Sequence, residues 1–215
     1  MSENVFPLNF GFHSCSIYRD PSQQFSTVTP FIVDGFASHN QCSCINHEHT
    51  DAEFCLQLDN SKIITDNFKS TQQLIFQSPD QTYLKGGVFD TEKTLSFLKE
   101  SINSSLSQGF TGLRLAAEMS WINQSNTPQS TLFEYESKCN EFYPDNKIIA
   151  LCQYNENLFS PKFMINVIRT HPYLFLYGKF YENKYFYNSP QYIAKQENPF
   201  SDSNYQEMID IIIND

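Results

Sequence analysis

The run Cys42-x-Cys44-x-x-His47-x-His49, with Cys55 close behind, brings together the side chains that bind zinc. A structural zinc site needs four donors closed into a tetrahedron, and the usual ribbons and fingers open on a C-x-x-C pair. Here the pair is C-x-C. Strand alternation sets Cys42 and Cys44 on one face, where a thiol packs as a small hydrophobe. His47 and His49 then fall at the surface beyond the strand end. The reading is no metal, with Cys42, Cys44, His47 and His49 as the only candidate ligands.

A cysteine nucleophile could be sought in Cys152 with His171, or in Cys15 with His13. Nothing nearby in sequence supplies an oxyanion hole or an orienting acid, so both thiols read as core. The acids Glu118, Glu134 and Glu136 could pair for proton transfer. Glu134 reads instead as the acid of a capping box opened by Thr131. Glu118 follows an apolar strand directly and precedes the single Trp. A carboxylate there needs a partner, which leaves two readings open: an ion pair with Arg114, or a place facing a pocket. His171-Pro172 reads as a helix end whose histidine meets the last carbonyls.

The elements that must position these groups alternate along the chain. Strands are expected at His13–Tyr18, Gln41–Asn46, Leu74–Gln77, Gly112–Ala117 and Lys147–Tyr154, with further strands between Leu174 and Tyr187. Helices are expected at Ser22–His39, Asp51–Leu58, Thr91–Gln108 behind Asp90, Thr131–Phe142, and from Pro161 to Thr170 behind Ser160. A last short helix is expected after a cap at Ser203, carrying Met208, Ile209, Ile212 and Ile213. This order predicts an α/β fold, a mainly parallel sheet with helices on both faces. Ligands of such sheets bind beyond the carboxyl ends of the strands, here Tyr18, His47 and Glu48, Glu118 to Trp121, and Tyr154.

A phosphate loop would need G-x-x-x-x-G-K-[ST] after the first strand. The chain instead reads Tyr18-Arg19-Asp20-Pro21-Ser22-Gln23, and only 7 of its 215 residues are Gly. Neither Gly86-Gly87 nor Gly109-x-x-Gly112 fits a dinucleotide fingerprint. No cofactor is expected. The formal net charge of −10 argues against nucleic acid and anionic membrane as direct partners. No apolar run approaches the ~20 residues of a membrane span, and no signal peptide is legible at the N-terminus. Six cysteines in such a chain read as reduced thiols, which predicts a cytoplasmic setting. Aromatic residues make up 15% of the chain, enough for a substantial core.

Several blocks in order resemble one family: His13-x-Cys15-x-x-Tyr18; Pro30-Phe31-x-x-x-Gly35 leading to Cys42; Tyr83-x-x-x-Gly87-x-Phe89-Asp90; Gly109-Phe110-x-Gly112-Leu113-Arg114-x-x-x-Glu118-Met119-x-Trp121; Tyr135-Glu136-x-x-x-Asn140; Leu151-Cys152-Gln153-Tyr154; and Arg169-Thr170-His171-Pro172 with Asn183-x-x-x-Tyr187-x-x-Pro190. Together they are similar to the MEDS domain, the methanogen/methylotroph sensory domain. The resemblance implies a RecA/KaiC-like three-layer sandwich without its phosphate loop, and a non-catalytic sensory role toward a small organic or hydrocarbon-derived molecule. Relatives are often joined to a kinase, a DNA-binding module or an anti-sigma element. Two departures stand beside the expected pocket, Asn155 in place of an Asp and Ala117 in place of a Gly.

The expectation is therefore a sensory domain over residues 1–192 with a tail over 193–215. The ligand would meet a wall of Tyr18, Trp121 and Tyr154, with Arg114, Glu118, Gln153 and His171 as polar groups. The partners would be that ligand and a regulatory protein or a second copy. An interaction module docking through the tail helix, and a metal-dependent enzyme, are the alternatives.

Overall fold

The computed structural model describes residues 8–187 and 202–214. Seven strands form one sheet in the order β3-β2-β4-β5-β1-β6-β7. They are β1 His13–Tyr18, β2 Gln41–Ile45, β3 Leu74–Gln77, β4 Leu113–Glu118, β5 Ile148–Asn155, β6 Tyr173–Leu176 and β7 Lys179–Glu182. All neighbours run parallel except β7, which turns back antiparallel on β6. The helices are α1 Pro21–Ala37, α2 Asp51–Asn60, α3 Thr65–Ser70, α4 Thr91–Ser107, α5 Gln129–Phe142, α6 Pro161–Thr170 and α7 Asp202–Asn214.

Strand alternation divides the interior into two cores. On one face Phe25, Val28, Phe31 and Ile32 of α1 and Phe54 and Leu58 of α2 pack on Cys42, Cys44, Ala116, Ile149 and Leu151. On the other, α4, α5, α6 and α7 cover Cys15, Ile17, Leu115, Ala117, Ala150, Cys152 and Tyr154. Every residue of β1, β2 and β4 is buried, as expected for a parallel sheet covered twice.

Local signals start most helices. The Asp20 carboxylate accepts from Gln23 N at 3.0 Å and caps α1. Thr50 and Glu53 close a reciprocal capping box on α2. Asp90 caps α4, and Ser160 with Pro161 opens α6. The capping box expected at Thr131 and Glu134 is absent. Pro128 is extended at φ −60°, ψ 137°, and α5 begins at Gln129. Thr131 therefore already lies in the first turn, and Glu134 reaches Lys138 at 3.1 Å instead. The side chain of Ser203, expected to cap the last helix, lies outside the described residues.

Gly35 is dictated by packing. A Cβ there would stand 2.6 Å from Cys42 Sγ and 2.7 Å from Arg114 Cδ, so α1 can cross β2 and β4 this closely only without one. Residue α7 burial matters for the tail: Ile209, Ile212, Met208 and Tyr205 are buried in the domain's own core, while Ile213 remains exposed.

Candidate functional site

The first question is whether the carboxyl ends of the strands form one site. Glu118, at the end of β4, is fully buried. Its Oε2 accepts from the backbone N–H groups of His47 at 2.6 Å, Glu48 at 2.5 Å and His49 at 3.4 Å. Its Oε1 accepts from Gln24 Nε2 at 3.0 Å. The carboxylate thus fills a concavity of backbone donors, an arrangement that favours negative charge. Gln24 reaches down from α1, also donates to Gln153 Oε1 at 2.9 Å, and shares a hydrogen bond with His49 Nε2 at 2.8 Å. Tyr18 donates to Glu48 Oε1 at 3.0 Å, and Asn155 donates to the other oxygen of Glu48 at 2.9 Å. Burial, then the charges of Glu48 and Glu118, raise the Tyr18 phenol, so it remains a donor.

Glu118 does not pair with Arg114: it accepts from a loop backbone and from Gln24. Arg114 lies four residues back on β4, about 13 Å along the strand. Its guanidinium donates to Asn40 Oδ1, to Phe31 O and to Asp34 Oδ2 at 3.1, 2.8 and 2.8 Å. Burial lowers its pKa, with Asp34 opposing. Arg114 fastens α1 to the sheet, away from the strand ends.

The seven expected residues divide between the two faces of the sheet. Tyr18, Glu118 and Gln153 converge under α1. Tyr154, one residue after Gln153, points to the opposite face, as pleating requires. There its hydroxyl donates to Glu136 Oε1 at 2.7 Å. Trp121 is buried on that second face, stacked on Tyr83 with ring centroids 5.0 Å apart. His171 is also on the second face.

That second face holds a cluster that sequence spacing does not display. His13 Nε2 and His171 Nε2 lie 3.3 and 3.5 Å from Glu136 Oε2. Cys152 Sγ lies 3.8 Å from His13 Nε2 and 3.9 Å from Glu136 Oε2. All four side chains are buried, and their ligand atoms all lie within 4.8 Å of one another. Burial raises the Cys152 thiol, and Glu136 raises it further, so it is no poised nucleophile. Burial pushes His171 down to about 4, with His13 adding to the shift. Burial also works to raise the Glu136 carboxyl, but His171, His13 and the Tyr154 hydroxyl outweigh it and leave it below its ordinary value.

The residues first considered for metal do not converge in this way. Cys42 and Cys44 pack in the α1 core, His47 Nδ1 pairs with Ser120 at 2.8 Å, and His49 with Gln24. Among the described residues, the group able to hold a metal is His13, Glu136, Cys152 and His171.

The β1–α1 turn is not built as a phosphate cradle. A helix N-terminus binds phosphate through free N–H groups. Here Pro21 has no N–H, and the Asp20 carboxylate already occupies Gln23 N. A cavity of about 260 Å³, lined by Asn9, Phe10, Gly11, Phe12, Pro144 and Tyr173, opens at the opposite, amino ends of the strands.

A mainly parallel sheet in this order, covered by helices on both faces and lacking a phosphate cradle, defines a RecA-like α/β sandwich that has lost its nucleotide loop. The family profile "MEthanogen/methylotroph, DcmR Sensory domain" matches residues 12–172, and the chain belongs to this MEDS family. It is 25% identical over 162 residues to the transcriptional repressor DcmR of Methylorubrum extorquens, covering 74% of this chain. The match spans 57% of that repressor's length. Among solved structures, a KaiC-like protein of Pyrococcus horikoshii OT3 superposes with a TM-score of 0.54 at 8% identity, covering 79% of this chain and 72% of that one. That likeness concerns the fold alone. No helix among the described residues is long and apolar enough to cross a membrane.

Proposed function

We propose that the chain is a non-catalytic sensory domain that binds a small organic molecule beneath α1, at the carboxyl ends of β1, β4 and β5. It reports occupancy to a regulatory partner in the cytoplasm. The supporting observation is a set of buried polar atoms without hydrogen-bond partners: Ser16 Oγ, Thr27 Oγ1 and Gln153 Nε2. Ser16 and Gln153 are direct partners across β1 and β5. Both face α1, where Thr27 is buried one turn beyond Gln24. Each orphan costs roughly 1–3 kcal/mol of desolvation, which a ligand hydroxyl, carbonyl or amine would recover.

The same network offers a route for the signal. Gln24 touches Gln153, Glu118 and His49 together. A ligand that draws Gln24 or Gln153 into new hydrogen bonds alters the hold on the 47–49 loop. That is the differential interaction between two states which any switch requires. The family match and the repressor relative supply the regulatory context; the output partner of this chain belongs to the proposal.

The test is a melting-temperature panel of short alcohols, aldehydes, halomethanes, amines and carboxylates on the wild type and on Gln153→Leu. A true ligand at a hundred times its Kd stabilises by about 2.7 kcal/mol. For a chain this size that raises Tm by roughly 5–10 °C. The shift should vanish in Gln153→Leu. No shift from any compound, or one that Gln153→Leu leaves intact, overturns the proposed site.

A further inference from the structure

We propose that His13, Glu136, Cys152 and His171 form a buried four-ligand site for a divalent, borderline-soft transition metal such as zinc. The proposal is independent of the ligand site on the other face of the sheet.

Hydrogen bonding fixes both imidazoles in the metal-binding tautomer. Asn140 Nδ2 donates to the carbonyls of Glu136 and Thr170 at 3.1 and 2.8 Å, which identifies it as nitrogen. Asn140 Oδ1 is then the atom 2.8 Å from His13 Nδ1, so His13 Nδ1 carries the proton. His171 Nδ1 lies 2.8 Å from the carbonyl of Val167 and must donate there. In both neutral rings the Nε2 lone pair therefore points inward, and both point at the same carboxylate oxygen. His171 Nε2 has no hydrogen-bond partner. Two imidazole nitrogens and a carboxylate oxygen packed this closely repel unless a proton or a metal ion lies between them, and a metal ion satisfies all of them at once.

The spacing fits a tetrahedron. Bonds of about 2.0–2.3 Å to nitrogen, oxygen and sulfur imply ligand–ligand edges of about 3.3–3.8 Å. Four of the six separations, 3.3, 3.5, 3.8 and 3.9 Å, lie near that scale, and all six lie within 4.8 Å, close enough for small side-chain shifts to close the site on an ion. Charge balance fits as well. A carboxylate and a thiolate neutralise a dication, leaving no net charge in a site closed to water, provided Cys152 gives up its proton on binding. The surroundings orient each ligand: Asn140 and Val167 hold the imidazoles, and the Tyr154 hydroxyl holds Glu136 Oε1 so that Oε2 faces inward. Imidazole, carboxylate and thiolate together select a zinc-like ion over magnesium or calcium. With four protein ligands the site is closed and structural, pinning β1 and β5 to α5 and the end of α6.

The experiment is metal analysis of the full chain refolded with Zn²⁺ and, separately, with Co²⁺. The expected result is one equivalent per chain, with Co²⁺ giving tetrahedral absorption and a thiolate-to-cobalt charge-transfer band. Cys152→Ser should abolish that band, and Glu136→Gln should lower bound metal to below about a tenth of an equivalent after dialysis. Cys44→Ser, a buried cysteine outside the cluster, should leave both at wild-type values. Wild-type chain that refolds without retaining either ion, or a cobalt spectrum unchanged in Cys152→Ser, overturns the proposal.

Discussion

Replacing Glu118 by Gln removes a charge while keeping shape. The carboxylate receives two short hydrogen bonds from the His47 and Glu48 amides, a longer one from His49, and one from Gln24. A hydrogen bond to a charged acceptor contributes about 1.5–3 kcal/mol, a neutral one about 1. Two short bonds losing their charge assistance therefore cost about 2 kcal/mol, the new amide being accommodated by turning over Gln24 and Gln153. Truncation to Ala strands the same amides and should cost roughly 3–5 kcal/mol. Urea unfolding should show the first loss as a lower midpoint at unchanged slope. Hydrogen exchange localises it. If the loop is held by the charge, the amides of residues 47–49 should exchange roughly 30-fold faster in Glu118→Gln, since about 1.4 kcal/mol is tenfold. A change below about 0.5 kcal/mol, within the usual range for uninvolved positions, with unaltered exchange at those amides would refute the reasoning.

Further outcomes follow from packing. Gly35→Ala should destabilise by about 1–3 kcal/mol through overpacking against Cys42 and Arg114, measured by urea unfolding, even though Ala favours helix. Five of the six cysteines are buried, so an aromatic disulfide reagent at pH 8 should label Cys55 quickly and the others only after denaturation. Deleting residues 202–215 exposes the core beneath Tyr205, Met208, Ile209 and Ile212 and should cost several kcal/mol of stability, seen as a lower unfolding midpoint; a midpoint unchanged by the deletion would contradict the packing of α7.

The fold was legible because its signals are local. Asp90 and Ser160 announce helices, and Ile148–Asn155 is apolar enough to read as a central strand. The short helix Thr65–Ser70 has no side-chain cap and gave no such signal. The site was legible only by residue type. Gln153 and Tyr154 belong to one family block, yet neighbours on a strand face opposite sides of the sheet. Arg114 and Glu118 were weighed as a pair, but four residues of strand separate them. Cys152 and His171 come up together in the sequence only as a nucleophile pair, read there as core, and the structure sets them in one buried cluster. Their partners His13 and Glu136 arrive from β1 and α5, and a cluster drawn from four elements leaves no spacing motif.

The central claim is that a small organic molecule, rather than a nucleotide, occupies the polar site beneath α1. Native mass spectrometry of the purified full chain, with each compound of the panel or with Mg·ATP, tests it most directly. With any metal mass subtracted, the account predicts a one-to-one adduct with a small organic compound, lost in Gln153→Leu, and no ATP adduct. A chain that binds Mg·ATP one-to-one, or that flies bare with every organic compound offered, would contradict it.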